Sequence, residues 1–210
     1  MRRARPLLTL SLLAACASPP DASTAKPAAV PSGVDGAGAE QTAPKGPPRP
    51  ARGAGAVSGQ PAPALALPDL ESGETWVLAD HLDPSGQSCP DAYMIAFMAS
   101  WCGYCQQSLP TLRALEQQFP DLGIVTVTVD KTPATQKEEL QKVRAAGLTG
   151  PVLVADATTA STWIGGSAIP RYVFINRDGK IIGQDRGFGD NVAPMMPGQA
   201  RKALGLETGD

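Results

Sequence analysis

Between residues 64 and 206 the spacing of apolar positions changes period several times, and each change marks an element. Leu65, Leu67 and Leu70 alternate with other residues, Glu71-Ser72-Gly73-Glu74 supplies turn formers, and Thr75-Trp76-Val77-Leu78 resumes the apolar run, predicting a β-hairpin. Ala79 to Asp91 has loop composition. Tyr93 to Ala99 is an unbroken apolar segment with the length of a buried strand, and Tyr104 to Phe119 carries apolar residues at helical spacing. Pro110 inside that helix is expected to kink it. The β-branched run from Gly123 to Asp130 suits a central strand, and Thr135 to Ala146 reads as a charged amphipathic helix closed by Gly147. A short strand at Pro151 to Val154 follows, then one or two helical turns from Ala157 to Ile164, with Trp163 assigned to the core. Strands Arg171 to Ile175 and Lys180 to Gln184 flank the turn signal Asn176-Arg177-Asp178-Gly179, and a last helix is predicted within Pro197 to Leu204. Strands alternating with helices and ending in a hairpin predict an α/β fold with a sheet of mixed direction.

The first 63 residues follow no such pattern. Arg2, Arg3 and Arg5 precede an apolar run from Leu7 to Ala15, the charged and hydrophobic parts of a secretory signal, too short to span a bilayer. The sequence Leu13-Ala14-Ala15-Cys16 resembles the lipobox of bacterial lipoproteins, which implies cleavage before Cys16 and its acylation. Residues 16–63, rich in Pro, Ala, Gly, Ser and Thr, are read as a disordered tether spanning roughly 40 Å as a flexible coil. The folded domain is then expected over 64–210. The formal charge of -2 over 210 residues gives no basic field for nucleic acid.

The candidate chemistry lies where the apolar strand meets the first long helix, at Trp101-Cys102-Gly103-Tyr104-Cys105. A thiol in the first helical turn faces unpaired N–H groups and the positive end of the helix dipole, and both favour thiolate. Cys102 is therefore the expected nucleophile. Cys105 falls inside the helix, near enough to close a disulfide.

This motif, Ile169-Pro170 ahead of a strand, the Asn176 to Gly179 hairpin, and the helix and strand inserted between Thr135 and Val154 resemble the thioredoxin fold. More narrowly they resemble its membrane-anchored, extracytoplasmic TlpA/ResA-like branch, which the added N-terminal hairpin also fits. The resemblance implies a central mixed sheet flanked by helices, and a cis Pro170 opposite the dithiol. In that arrangement the backbone of Ile169 offers hydrogen bonds to a bound peptide, and Trp101 shapes the surface beside the site. The Gly103-Tyr104 dipeptide replaces the Gly-Pro of many thioredoxins and should tune the potential, with no sign derivable. The implied activity is thiol-disulfide exchange through Cys102 and Cys105, as a reductase of exported proteins that draws electrons from a membrane donor. No cofactor or metal is expected. A disulfide oxidant or isomerase, or a binding module that does not use its thiols, would present the same residues.

Two family acids are missing. The position six residues before Cys102 is Ala96, and the position three after Cys105 is Ser108. A general base there would speed resolution by Cys105; Asp130 or Glu116 is a possible substitute, Asp130 equally a loop cap. Cys89 admits three readings: a buried thiol, a link to another chain, or a half-cystine with Cys102. A zinc set of Cys89, Cys102, Cys105 and His81 lacks the second compact ligand pair of structural sites. Copper delivery is disfavoured because no histidine follows Tyr104, and the segment before Cys102 lacks the proline of a peroxiredoxin motif.

Overall fold

The computed structural model describes residues 56–87, 90–165 and 168–206. The chain runs β1 (Ala66–Pro68), β2 (Thr75–Val77), β3 (Ala92–Met98), α1 (Gly103–Gln118), β4 (Leu122–Thr128), α2 (Pro133–Ala145), β5 (Val152–Val154), α3 (Ala157–Ile164), β6 (Arg171–Asn176), β7 (Ile181–Arg186) and α4 (Met196–Ala203). Short 3-10 turns occupy Leu78–His81 and Ala193–Met195.

Every residue of β3 is buried, as its unbroken apolar sequence requires, and β3 is the middle of a five-stranded sheet ordered β5-β4-β3-β6-β7. Strands β4 and β5 run parallel to their neighbours, whereas β6 and β7 are antiparallel, so the sheet is mixed. Alternation along β3 sends Met94, Ala96 and Met98 into a layer formed with α1, α4 and Val143 of α2. Tyr93, Ile95 and Phe97 point the other way, to Trp163 and Ile164 of α3 and to Leu65, Leu67 and Leu78 around the hairpin. Helix α1 continues through Pro110, which lies on its exposed face. Thr132 caps α2 by accepting from the Thr135 amide, and Gly147, at φ +86°, ends it in the left-handed conformation that glycine adopts without strain. Gly179, at φ +74°, does the same in the β6–β7 turn.

The expected domain start at residue 64 is corrected. Residues 56–62 already belong to the fold: the amide of Ala56 donates to Trp163 O at 3.0 Å, Gly59 to Ile181 O at 2.8 Å, Ile181 to Gln60 O at 2.9 Å, and Ala62 to Gly179 O at 2.8 Å. These bonds use backbone groups alone, so a composition poor in apolar side chains does not oppose them. The segment covers the beginning of β7. At the opposite edge, β1 continues into a bridge between Asp69 and Leu153, and Leu70 donates to Val152 O at 2.8 Å. Both margins of the sheet thus carry added chain that occupies edge groups otherwise open to another strand. Cys16 and Cys89 lie outside the described residues.

Candidate active site

Strand β3 ends at Met98, and four residues later Cys102 caps α1 with backbone angles of φ -86° and ψ 104°. Its sulfur accepts a hydrogen bond from the amide of Cys105 at 3.2 Å. Cys102 and Cys105 are joined in a disulfide with a Cα separation of 5.2 Å. Cys105 is fully enclosed and Cys102 is 7% exposed, so an attacking thiol reaches the pair through Cys102. When the bond opens, the same Cys105 N–H and the start of a sixteen-residue helix stabilise negative charge on the Cys102 sulfur.

Around this pair the surface is aromatic. Trp101 is 69% exposed and Tyr104 62% exposed, both large apolar groups facing solvent beside a nearly buried disulfide. The Ile169–Pro170 peptide is cis. Pro170 is buried, and Arg171 directly after it pairs with Phe97, placing the proline at the same end of the sheet as the cysteines. Ile169 packs partly buried against the core cluster that contains Cys102 and Cys105. The structure thus brings together Trp101, Cys102, Gly103, Tyr104, Cys105, Ile169 and Pro170.

A family model described as Redoxin matches residues 58–196. The chain belongs to the Redoxin family. Over 48 residues, 23% of its length, this Redoxin is 42% identical to mitochondrial thioredoxin-3 of Saccharomyces cerevisiae, a stretch that spans only 38% of that relative. It shares its fold with a protein of Chlorobium tepidum provisionally described as the thiol:disulfide interchange protein DsbE, at TM-score 0.59 and 24% identity, over 71% of this chain and 99% of the other. A secreted Mycobacterium tuberculosis disulfide oxidoreductase, described as homologous to E. coli DsbE, aligns at TM-score 0.50 and 16% identity, over 65% and 93% of the two chains.

The polar residues behind the dithiol in this Redoxin differ from those the sequence suggested. Ala96 is enclosed between Thr126 on β4 and Tyr172 on β6. Tyr172 is itself fully enclosed, and burial keeps its phenol protonated well above the usual range. The hydroxyl of Ser108 donates to Cys105 O at 2.7 Å. Glu116 lies about three turns along α1 from Cys105 and accepts from the Thr149 amide at 3.1 Å and its hydroxyl at 2.8 Å, so it is a loop tie. Asp130 is buried and clamps the approach to the motif: it accepts from the Ser100 amide at 2.8 Å, the Ser100 hydroxyl at 3.1 Å and the Thr128 hydroxyl at 2.8 Å. Lys142 completes the grip by donating to Ser100 O at 2.7 Å.

Sequence reasoning missed Gln106, Glu139 and Lys142. Glu139 lies four residues before the buried Val143 and therefore on the inner face of α2, a signal the charged composition of that helix masks. His81 is drawn into an aromatic group instead, stacked on Trp76 with ring centroids 4.6 Å apart, and its burial lowers its pKa.

Proposed function

We propose that this protein is an extracytoplasmic thiol-disulfide oxidoreductase, held to a membrane through acylated Cys16, that reduces disulfides in exported cysteine-containing proteins with electrons from a membrane donor. The observation that carries the exchange reading is the Cys102–Cys105 disulfide at the start of α1, at the same sheet end as cis-Pro170 and rimmed by Trp101 and Tyr104. Exchange begins with attack by a donor thiolate on the Cys102 sulfur, which expels Cys105 as the leaving thiolate. A second donor thiol then attacks the mixed disulfide and releases Cys102. In the reduced form the Cys102 thiolate attacks a substrate disulfide, and Cys105 resolves the mixed disulfide, returning the pair to the bonded state. Exposed aromatic side chains beside the disulfide suit contact with a peptide segment carrying a half-cystine.

The location outside the cytoplasm draws support from the signal-like N-terminus and from compartment chemistry, since stable disulfide substrates belong to oxidising environments. Reductive direction is the reading of the TlpA/ResA-like resemblance. The deciding experiment replaces Cys102 and Cys105 separately by Ser. Both variants lose turnover with a protein disulfide, and Cys105→Ser accumulates mixed disulfides visible on non-reducing gels; a binding module would keep its partner in both. The reduction potential of the pair separates reductant from oxidant, and loss of membrane fractionation in Cys16→Ala tests the anchor.

A further inference from the structure

Helix α2 brings to the active-site end of the sheet a carboxyl group that neither the fold nor disulfide exchange by itself requires. Glu139 is fully enclosed. Its Oε2 accepts from Gln106 Nε2 at 3.0 Å, while Oε1 has no hydrogen-bond donor. A leucine would avoid that uncompensated oxygen and extend the apolar contact made by Val143 one turn later.

What Glu139 holds is the backbone in front of the cysteines. Gln106 directly follows Cys105, and the amide nitrogen that donates to Glu139 also donates to Ala99 O at 3.3 Å. Ala99 O in turn accepts the amide of Cys102 at 3.0 Å. Contacts therefore run without a gap from Glu139 through Gln106 and Ala99 to Cys102. Ser100, inside the same turn, is fixed by Asp130 and Lys142. The charged groups facing Glu139 are Asp130 at the end of β4 and Lys142 and Glu138 on its own helix; α1 contributes neutral Gln106 with the cysteines behind it. Burial pushes the Glu139 carboxyl up to about 7, with Asp130 adding to the rise and Gln106 and Lys142 opposing it. That places its titration in the range where activated thiols ionise.

We propose that Glu139 is a positioning residue for the dithiol: acting through Gln106 it holds the Ala99–Cys102 turn, and its protonation is tied to the redox state of the Cys102–Cys105 pair. The proposal rests on the oxidoreductase reading of that pair. Reduction by a dithiol takes up two electrons and two protons, breaks the S–S bond and leaves two thiols, of which Cys102 then ionises. A thiolate near Glu139 opposes its ionisation, so the reduced protein holds the Glu139 proton more tightly. By reciprocity an ionised Glu139 opposes the thiolate and favours the disulfide.

The test is the reduction potential of the full chain, equilibrated with reduced and oxidised dithiothreitol from about pH 5.5 to 9, for wild type, Glu139→Gln, Glu139→Asp and Gln106→Leu. Wild type and Glu139→Gln coincide at low pH, where both side chains are neutral. Above about pH 7 they diverge, with Glu139→Gln easier to reduce by roughly threefold or more in the equilibrium constant. Glu139→Asp restores the wild-type shape, and Gln106→Leu keeps the carboxyl group but moves the inflection to higher pH, because the hydrogen bond that favours the ionised form is lost. Parallel wild-type and Glu139→Gln curves would overturn the proposal, as would an inflection that survives unaltered in Gln106→Leu. Failure of the oxidoreductase reading looks different: the dithiothreitol equilibrium is still measurable, but no protein disulfide is exchanged.

Discussion

Glu139→Gln also makes a prediction about stability that is independent of catalysis. In the folded protein the carboxyl group has a pKa of about 7 against an ordinary 4.5, because burial outweighs the hydrogen bond from Gln106. A pKa raised by folding means that the native state binds the proton more tightly than the unfolded chain. Stability from this group is therefore fully present below about pH 4.5 and is lost as pH rises through about 7. The difference of about 2.5 pH units corresponds to a ceiling of about 3 kcal/mol, or roughly 2 kcal/mol once local relaxation and water entry are allowed for. Glutamine keeps the volume, can present its carbonyl oxygen to Gln106, and carries no charge at any pH. Urea unfolding of the oxidised protein, followed by fluorescence of the buried Trp163, at about pH 4.5, 6, 7 and 8.5 measures the effect. The variant should gain on wild type by roughly 2 kcal/mol between the lowest and highest pH, whatever constant offset the amide introduces. A stability difference that stays flat with pH would refute the reasoning.

Other substitutions probe the clamp, the rim and the edge. Asp130→Ala strands the amide and hydroxyl of Ser100 and the hydroxyl of Thr128, and should cost about 3 kcal/mol in chemical denaturation while slowing exchange through a loosened Trp101–Cys102 turn. Trp101→Ala removes a side chain already 69% exposed, so stability should change by less than about 1 kcal/mol while the KM for a protein disulfide rises several-fold; a large loss of stability instead would show that the indole is structural. A chain beginning at Ala64 loses the backbone bonds of Gly59, Gln60 and Ala62 to the β7 edge, worth about 2–3 kcal/mol together, and should melt several degrees lower by calorimetry.

The parts of the fold that were legible are those in which side-chain pattern and structure depend on the same force. Ala92–Met98 is enclosed on both faces, and a seven-residue strand buried in that way has to be apolar throughout, so its sequence announces it. The Cys102–Cys105 pair and cis-Pro170 were readable as a combination, because the dithiol and the Ile-Pro step carry meaning together that neither has alone. Residues 56–62 were not legible: they are held by main-chain bonds, to which composition is nearly blind. The Ser100 clamp was half visible. Asp130 at a strand end reads in sequence as a base or a loop cap, and in the fold it accepts bonds from a segment thirty residues away. Glu139 and Lys142 were hidden because a charged helix normally turns its charges to solvent, and only the tertiary position of α2 shows which of them turn inward.

The pairing of residues 56–62 with the start of β7 also sets a direction. Ala62 and Gly59 meet the chain at Gly179 and Ile181, beside the β6–β7 turn. Asn176 at that turn is opposite Ala92, the first residue of β3, whereas the cysteines follow its last. Seven residues of strand separate the two ends, about 20 Å. The segment thus passes from α3, where Ala56 is bonded to Trp163, to the foot of the sheet, while Trp101, Tyr104 and the disulfide lie at the opposite end. Any pull along the chain would fall first on the bond from Ala56 to Trp163 and then on the few backbone bonds at the β7 margin.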